Sequence, residues 1–386
     1  MMNQQAVHPM LPRADHDELA RQDFVFTLKQ FVSDTLAVGS RAFYQGQLRP
    51  VLEKRHGRAP NRHEIRRQLA SEPHDQMISS MKRTIQEFTW DTTGESVERQ
   101  LADLIAKAKV TRTRKEQLGS LRLDPDLEIP RYLSAVDIHA MPGNYHTELT
   151  EDDVFAGALY DRGVYLFSLG GQGPSQQDFG LSLISFVKDK FPDLKLERIL
   201  DLGCTVGSST LQYVEAFPDA EIHAIDVAAP LLRYAHGRAE LTGRAIHFSQ
   251  QNAESTNFED RTFDLVVSTG LLHETSRKAM PQIMRECFRL LRPGGLMVHG
   301  ESRQYPDMDP YDAALHDWGT HYNAEPFMTT MHETDLVQVA LDAGFKRENT
   351  FPQIPVTSRV SQDQAGSTKF RDFVFTGARY FSGAVK

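Results

Sequence analysis

The chain has 386 residues, 40% of them apolar, a formal charge of -9 and two cysteines. That is length enough for a large core or two domains, and too few cysteines for a disulfide framework or a zinc site of their own. Residues 1 to 130 carry 20 Lys and Arg against 18 Asp and Glu, the remainder 23 against 34. So acidic a second part argues against a polyphosphate substrate such as DNA or RNA and favours a small molecule.

The opening Met-Met-Asn-Gln-Gln-Ala-Val-His reads as neither a secretory nor a transit peptide, and no apolar run is long enough for a membrane helix. A cytoplasmic protein with no membrane partner is expected. From Asp15 four apolar faces recur at the helical period: Leu28, Phe31, Val32 and Leu36; Tyr44, Leu48, Val51 and Leu52; Met77, Met81, Ile85 and Phe88; Val97, Leu101, Leu104, Ile105 and Ala108. Gly57, Pro60 and Glu72-Pro73 separate them. The pattern predicts an N-terminal helical domain over 16–122, with these stripes as core and a role as a cap or a dimerisation element. Pro125, Pro130, Pro142 and Gly143 then punctuate a linker over 123–149, in which 131–139 reads as extended chain or an edge strand.

A helix is expected over 151–169, ended by Gly-Gly-Gln-Gly-Pro. From Gln176 helix and strand alternate, with strands at 198–202, 221–226, 245–249, 262–268 and 296–299, a helix at 334–343, and last strands at 345–350 and 373–379. Short connections in such an alternation predict an α/β fold with a doubly wound, mostly parallel sheet over 150–386. Cys204 in the glycine turn that follows Leu202 and Cys287 on an apolar helix face read as packed thiols.

The first of these strands runs Arg198-Ile-Leu-Asp201-Leu-Gly203 into Cys204-Thr205-Val206-Gly207 and a helix that starts on small hydroxyl residues. Such a turn presents backbone N–H groups to a nucleotide-like ligand. The glycines fall as Gly203-x-x-x-Gly207, which is not the G-x-G-x-x-G of a dinucleotide site, so a nicotinamide dehydrogenase is disfavoured. A carboxylate at the strand end suits a cofactor that carries its own positive charge. These residues resemble the class I S-adenosylmethionine-dependent methyltransferases, whose motif is D/E-x-G-x-G-x-G; Thr205 stands where the middle glycine belongs. Asp226 at the end of the second strand, Asn252 after the third, the strand Phe263 to Ser268 and Leu291-Arg-Pro-Gly-Gly-Leu296 complete the likeness. It covers roughly residues 150 to 380, in the manner of the ubiquinone- and menaquinone-biosynthesis enzymes, and none of the first 130.

The resemblance implies a Rossmann-like, seven-stranded sheet with an antiparallel hairpin edge and S-adenosylmethionine as cofactor. Asp201, Gly203, Cys204, Gly207, Asp226, Val227, Asn252, Ala253 and Thr269 would bind it, Asp226 through the ribose hydroxyls. A helix before the core often closes over the cofactor in this family, which places Tyr145, His146, Tyr160 and Tyr165 near the mouth. His273, after the fourth strand, is the candidate base because an imidazole suits proton transfer near neutrality; Glu274 is the weaker choice because adjacent side chains diverge. The long insert 301–331 brings Tyr305, Tyr311, His316, Trp318, His321, Tyr322, Asn323 and Phe327 to the same sheet edge, with His316, Trp318 and Tyr322 expected against the acceptor. No metal site is expected, the partner is a small-molecule acceptor with no nucleic acid, and a homodimer is allowed. Methyl transfer to oxygen is preferred over nitrogen, sulfur or carbon, with S-adenosylhomocysteine as product; a non-methylating S-adenosylmethionine-binding protein is the alternative.

Overall fold

A computed structural model describes residues 5–359 and 378–386. The described residues form an eight-stranded sheet: β1 (Ser120–Arg122), β2 (Arg198–Leu202), β3 (Glu221–Asp226), β4 (His247–Gln250), β5 (Phe263–Thr269), β6 (Leu291–Glu301), β7 (Thr350–Thr357) and β8 (Ala378–Val385), in the order β1-β4-β3-β2-β5-β6-β8-β7. Neighbours from β1 to β6 are parallel; β8 runs antiparallel between β6 and β7. Two buried clusters, around Met284 and Cys287 on one side and around Phe186 and Phe248 on the other, cover the sheet. Strands buried on both faces read as short apolar runs, which is why β2 and β3 match the sequence expectation.

The eighth strand was not expected. Ser120–Arg122 pairs with His247–Ser249, and the carboxylate of Glu240 accepts the backbone N–H groups of Leu118 and Gly119 at 2.9 and 2.8 Å to hold it there. A side chain at Gly119 would meet the Ile246 carbonyl oxygen at 2.0 Å, so glycine is required. Three residues carry too little periodicity to announce this pairing.

The segment 131–139 is not extended. Arg131–Ser134 is a helical turn behind Pro130 and Ile138–Ala140 a 3-10 turn, and Leu133, Ile138, Met141 and Tyr145 are buried with Trp90 and Leu159. Asn144 ties the segment by donating to the Val136 carbonyl at 2.9 Å. The strand expected at 345–350 lies instead at Thr350–Thr357, because Phe345 is taken into the core edge-on to Phe288, with ring centroids 5.0 Å apart. Of the last expected strand, 373–377 lie outside the described residues; β8 begins at Ala378.

The N-terminal residues are helical, His16–Phe31 continuing through two π-helical stretches, Val32–Leu36 and Tyr44–Leu48, to His56, and Pro73–Thr113 forming a 41-residue helix. Val32, Leu48, Leu52, Ile85, Val97 and Leu104 are buried as expected, whereas Phe31, Val51, Met77 and Phe88 are exposed: the apolar stripes are wider than the seams they pack into. Asp161, on the helix Phe155–Phe167, joins the N-terminal segment to the helix Ala229–Leu241. It is fully buried and accepts from Gln5 at 3.0 Å, Gln176 at 2.8 Å and Tyr234 at 2.9 Å, with His8 at 2.9 Å and Arg238 at 3.4 Å. These partners outweigh burial and hold its carboxyl at about 2. Beside it Trp90 lies on Gly163, where a Cβ would come within 2.2 Å of the indole.

Candidate active site

Asp201, one residue from the end of β2, and Asp226, the last residue of β3, lie next to the turn between β2 and the helix Thr210–Ala216. Asp201 is 1% exposed and accepts from the Thr210 hydroxyl at 2.6 Å. Asp226 accepts the backbone N–H groups of Thr205 at 3.0 Å and Ala228 at 2.9 Å. Burial pushes the two carboxyls up to about 7 and about 6, the signature of buried acids with no adjacent cation. A ligand that brings positive charge fits this pair, and that is the chemistry of a sulfonium and an ammonium.

The loop is shaped by the same residues. Gly203 and Gly207 have φ of 68° and 77°, and a Cβ at Gly203 would meet Leu271 at 2.8 Å. Gly203 and Cys204 both donate to the Ile225 carbonyl. Cys204 and Cys287 are buried and burial pushes both thiols up, so they pack and do not react. Thr205 adopts φ 48° without being glycine, at a cost of about 1–2 kcal/mol; its side chain is engaged by the Tyr160 hydroxyl. Replacing it isosterically, Thr205→Val, is expected to destabilise by about 1–2 kcal/mol, since the strain stays and the bond goes. Thr205→Gly relieves the strain as the bond is lost and should be near neutral in urea unfolding; equal losses in both would show that the backbone here is unstrained.

Of the other expected cofactor residues, Thr269 faces the loop, its hydroxyl 3.2 Å from that of Ser209. The Val227 carbonyl is taken by Gln250, and Ala253 packs in the core. Asn252 closes a turn after β4, its Oδ1 accepting from the Glu254 N–H at 2.9 Å.

His273 lies on the 3-10 turn Leu272–Glu274 after β5, with its Nδ1 2.6 Å from Oε2 of Glu301 at the end of β6. The other oxygen of Glu301 accepts the Leu272 N–H at 2.6 Å and so fixes the turn. The tight turn also brings Glu274 to the same side, its Oε1 3.6 Å from His273 Nε2, so adjacent residues here converge. Glu274 is met in addition by His139 Nε2 at 3.1 Å and the Tyr145 hydroxyl at 3.3 Å. His139 Nδ1 is 2.8 Å from the buried Glu325, and Asn323 donates to Glu325. The carboxylates outweigh burial and raise His273 to about 9 and His139 to about 10, so both rings are imidazolium at neutral pH. Gln86 and Trp90 of the long N-terminal helix both donate to the His139 carbonyl at 2.8 Å. Glu301, His139 and Glu325 were absent from the sequence reading; Glu301 obeys the rule that found Asp201, an acid at the carboxyl end of a parallel strand.

The expected acceptor residues divide. Tyr145 reaches the network and Tyr160 the glycine loop, their rings edge-on at 5.8 Å. Tyr165 does not reach the mouth: five residues along the same helix turn it away, and it is fully buried beside Arg162. His146 is half-buried near Asp137. His316, Trp318 and Tyr322 line a cavity with Asn323 and Glu325, walled on its far side by the N-terminal helices. From the insert, Tyr311 also lines it. Tyr305 is instead stacked on His332 at 4.7 Å, His321 is exposed against Tyr322, and Phe327 packs on Tyr132. Among the described residues no group of His, Cys, Asp and Glu is arranged for a metal, and no helix is long and apolar enough to cross a membrane.

Residues 199–295 match the model of a family described as "Methyltransferase domain". The chain is 34% identical over 111 residues to a demethylmenaquinone methyltransferase of Thermus thermophilus, a match over 28% of this chain and 49% of that protein. It is 26% identical over 125 residues to a fatty-acid O-methyltransferase of Mycolicibacterium smegmatis, over 32% and 44%. The chain thus spans less than half the length of these relatives. A solved phosphoethanolamine N-methyltransferase 2 of Haemonchus contortus superposes with a TM-score of 0.40 at 16% identity, over 59% of this chain and 60% of that one. Residues 199–295 are thus a class I S-adenosylmethionine-dependent methyltransferase domain, distantly related to those of the menaquinone-biosynthesis enzymes.

Proposed function

We propose that this protein transfers the methyl group of S-adenosylmethionine to a hydroxyl of a small-molecule acceptor and releases S-adenosylhomocysteine. The observation that carries the reading is the pair of buried carboxylates at the tips of β2 and β3, raised by burial to about 7 and about 6. The donor supplies a methyl group made electrophilic by its sulfonium. Asp201 balances the donor's positive charge, Asp226 accepts from its ribose hydroxyls, and Gly203 and Gly207 keep the turn open around it.

In-line displacement needs the nucleophile held at contact distance and its proton removed. In this reading the neutral form of His273, a minority at pH 7, takes the proton at Nε2 while Glu301, 2.6 Å behind Nδ1, fixes the ring and stabilises the imidazolium that forms. Glu274, joined to His139 and Tyr145, orients that side of the pocket. A proton acceptor at this place favours oxygen over nitrogen, which loses its proton readily after transfer. The test is release of S-adenosylhomocysteine from purified protein offered matched hydroxyl, amine and thiol acceptors. Turnover is expected with hydroxyl compounds; tight binding of S-adenosylmethionine without release from any acceptor would leave only a binding protein.

A further inference from the structure

The cavity beside the network has a definite shape. One wall is a single face of the long helix, Asp75, Ile78, Ser79, Lys82, Ile85 and Gln86, at the three- and four-residue spacing of adjacent turns. From Asp75 to Gln86 that face extends about 16 Å. The Gln86 end is the reacting end, since Gln86 holds His139 and the cavity there is lined by Glu325 and Asn323. The wall between is aliphatic and aromatic, with Val32 packed beside Ile78 and Ile85 and with Leu315, Trp318 and Met328 also lining the space.

The distal end is polar and nearly closed. Asp75 is 2% exposed; Oδ1 is bound by Ser40, and Oδ2 has no hydrogen-bond partner among the described residues. A buried acceptor atom left unpaired is costly, and a ligand that donates to it removes the cost. Burial raises the Asp75 carboxyl from its ordinary value against the Ser40 hydrogen bond, while the charged groups that reach it, His74, Glu72 and Lys82 two turns along the helix, act on it in both directions. Burial thus disfavours net charge at this end, which suits a neutral donor such as a hydroxyl and not an ionic group.

We propose that this cavity is the acceptor chamber, and that it takes an elongated, uncharged lipophile about 16 Å long whose far end donates a hydrogen bond to Asp75. Which end reacts rests on the methyltransferase reading; the chamber itself does not. Its N-terminal wall makes the first 113 residues part of the acceptor site.

α,ω-Alkanediols of about six to about fourteen carbons test it through the fluorescence of Trp318. Affinity is expected to rise about fourfold per methylene and to level off near twelve carbons, the extended length of the helix face. 1,12-Dodecanediol should bind about five- to tenfold tighter than 1-dodecanol, and Asp75→Ala should abolish that ratio. Ile78→Trp, or Leu315→Trp, should shorten the length at which affinity levels off. S-adenosylmethionine binding by calorimetry confirms that each variant is folded. Affinity independent of length, or long diols bound as tightly by both tryptophan variants as by the parent, overturns the chamber. A parent protein that binds diols with this length dependence but not S-adenosylmethionine overturns the methyltransferase reading and leaves the chamber standing.

Discussion

Asp226→Ala is expected to weaken S-adenosylmethionine binding by about a hundred- to ten-thousandfold, the loss of two hydrogen bonds to a charged acceptor at about 1.5–3 kcal/mol each. Both its oxygens already hold backbone N–H groups, of Thr205 and Ala228, and each oxygen keeps a lone pair for a ribose hydroxyl. Asp201 acts through charge, and its prediction is one of pH. With the carboxyl at about 7 in the free protein, half the molecules are protonated at neutrality, and a cationic ligand binds the ionised form. Affinity should therefore rise about tenfold per pH unit below 7 and flatten above it, with a proton released on binding at pH 6. Asp201→Asn should remove the slope between about 6 and 7, leaving only that of Asp226 below about 6. The sign for stability is the reverse of the usual carboxylate: a raised pKa means that the folded state binds more protons than the unfolded one between about 4 and 7, so the free protein loses stability as pH climbs through that window. Calorimetry at several pH values reads both effects. An affinity flat from pH 5.5 to 8 would show that Asp201 does not face the donor's charge.

These two acids were legible because of what a buried parallel strand is. Ile199, Leu200 and Leu202 must be apolar to be covered on both faces, so a lone Asp at the end of such a run stands out, as does Asp226 after Ile225. Glu301 obeys the same logic and was hidden by two residues: the apolar run was read as stopping at His299, while β6 continues through Gly300, whose partner across the sheet is Phe381. His139 and Glu325 had no such signal. They stand 186 positions apart, and what joins them is the long N-terminal helix, whose Gln86 and Trp90 hold the His139 carbonyl with that residue at φ 57°. No local pattern encodes a contact of that range. The resemblance to known methyltransferases stopped at about residue 150 for the same reason: the helices before it contribute walls and props, whose spacing follows the packing of this chain.

His273→Asn should lower kcat on a hydroxyl acceptor by about a hundred- to a thousandfold while leaving S-adenosylmethionine affinity within about twofold, since the asparagine amide can still donate to Glu301 and keep the turn. The parent's pH profile gives the sharper reading. Glu301 and Glu274 raise the imidazole to about 9, so the base form is a minority at pH 7. If His273 takes the proton, kcat climbs about tenfold per unit from pH 7 and levels off near 9. The same deprotonation weakens the fold: a raised histidine pKa contributes stability fully below about 6.5 that is lost as pH rises through about 9. Activity should therefore increase over the range in which thermal stability declines, and Glu301→Gln, by removing the charge that raises the ring, should move the rise in kcat towards neutrality. Acceptor acidity gives a further check, because a phenol that ionises near neutrality needs little help; with it the His273→Asn defect should shrink below about tenfold. A parent profile level from pH 7 to 9, or a defect independent of acceptor acidity, would leave His273 holding the turn for Glu301 with no part in proton transfer.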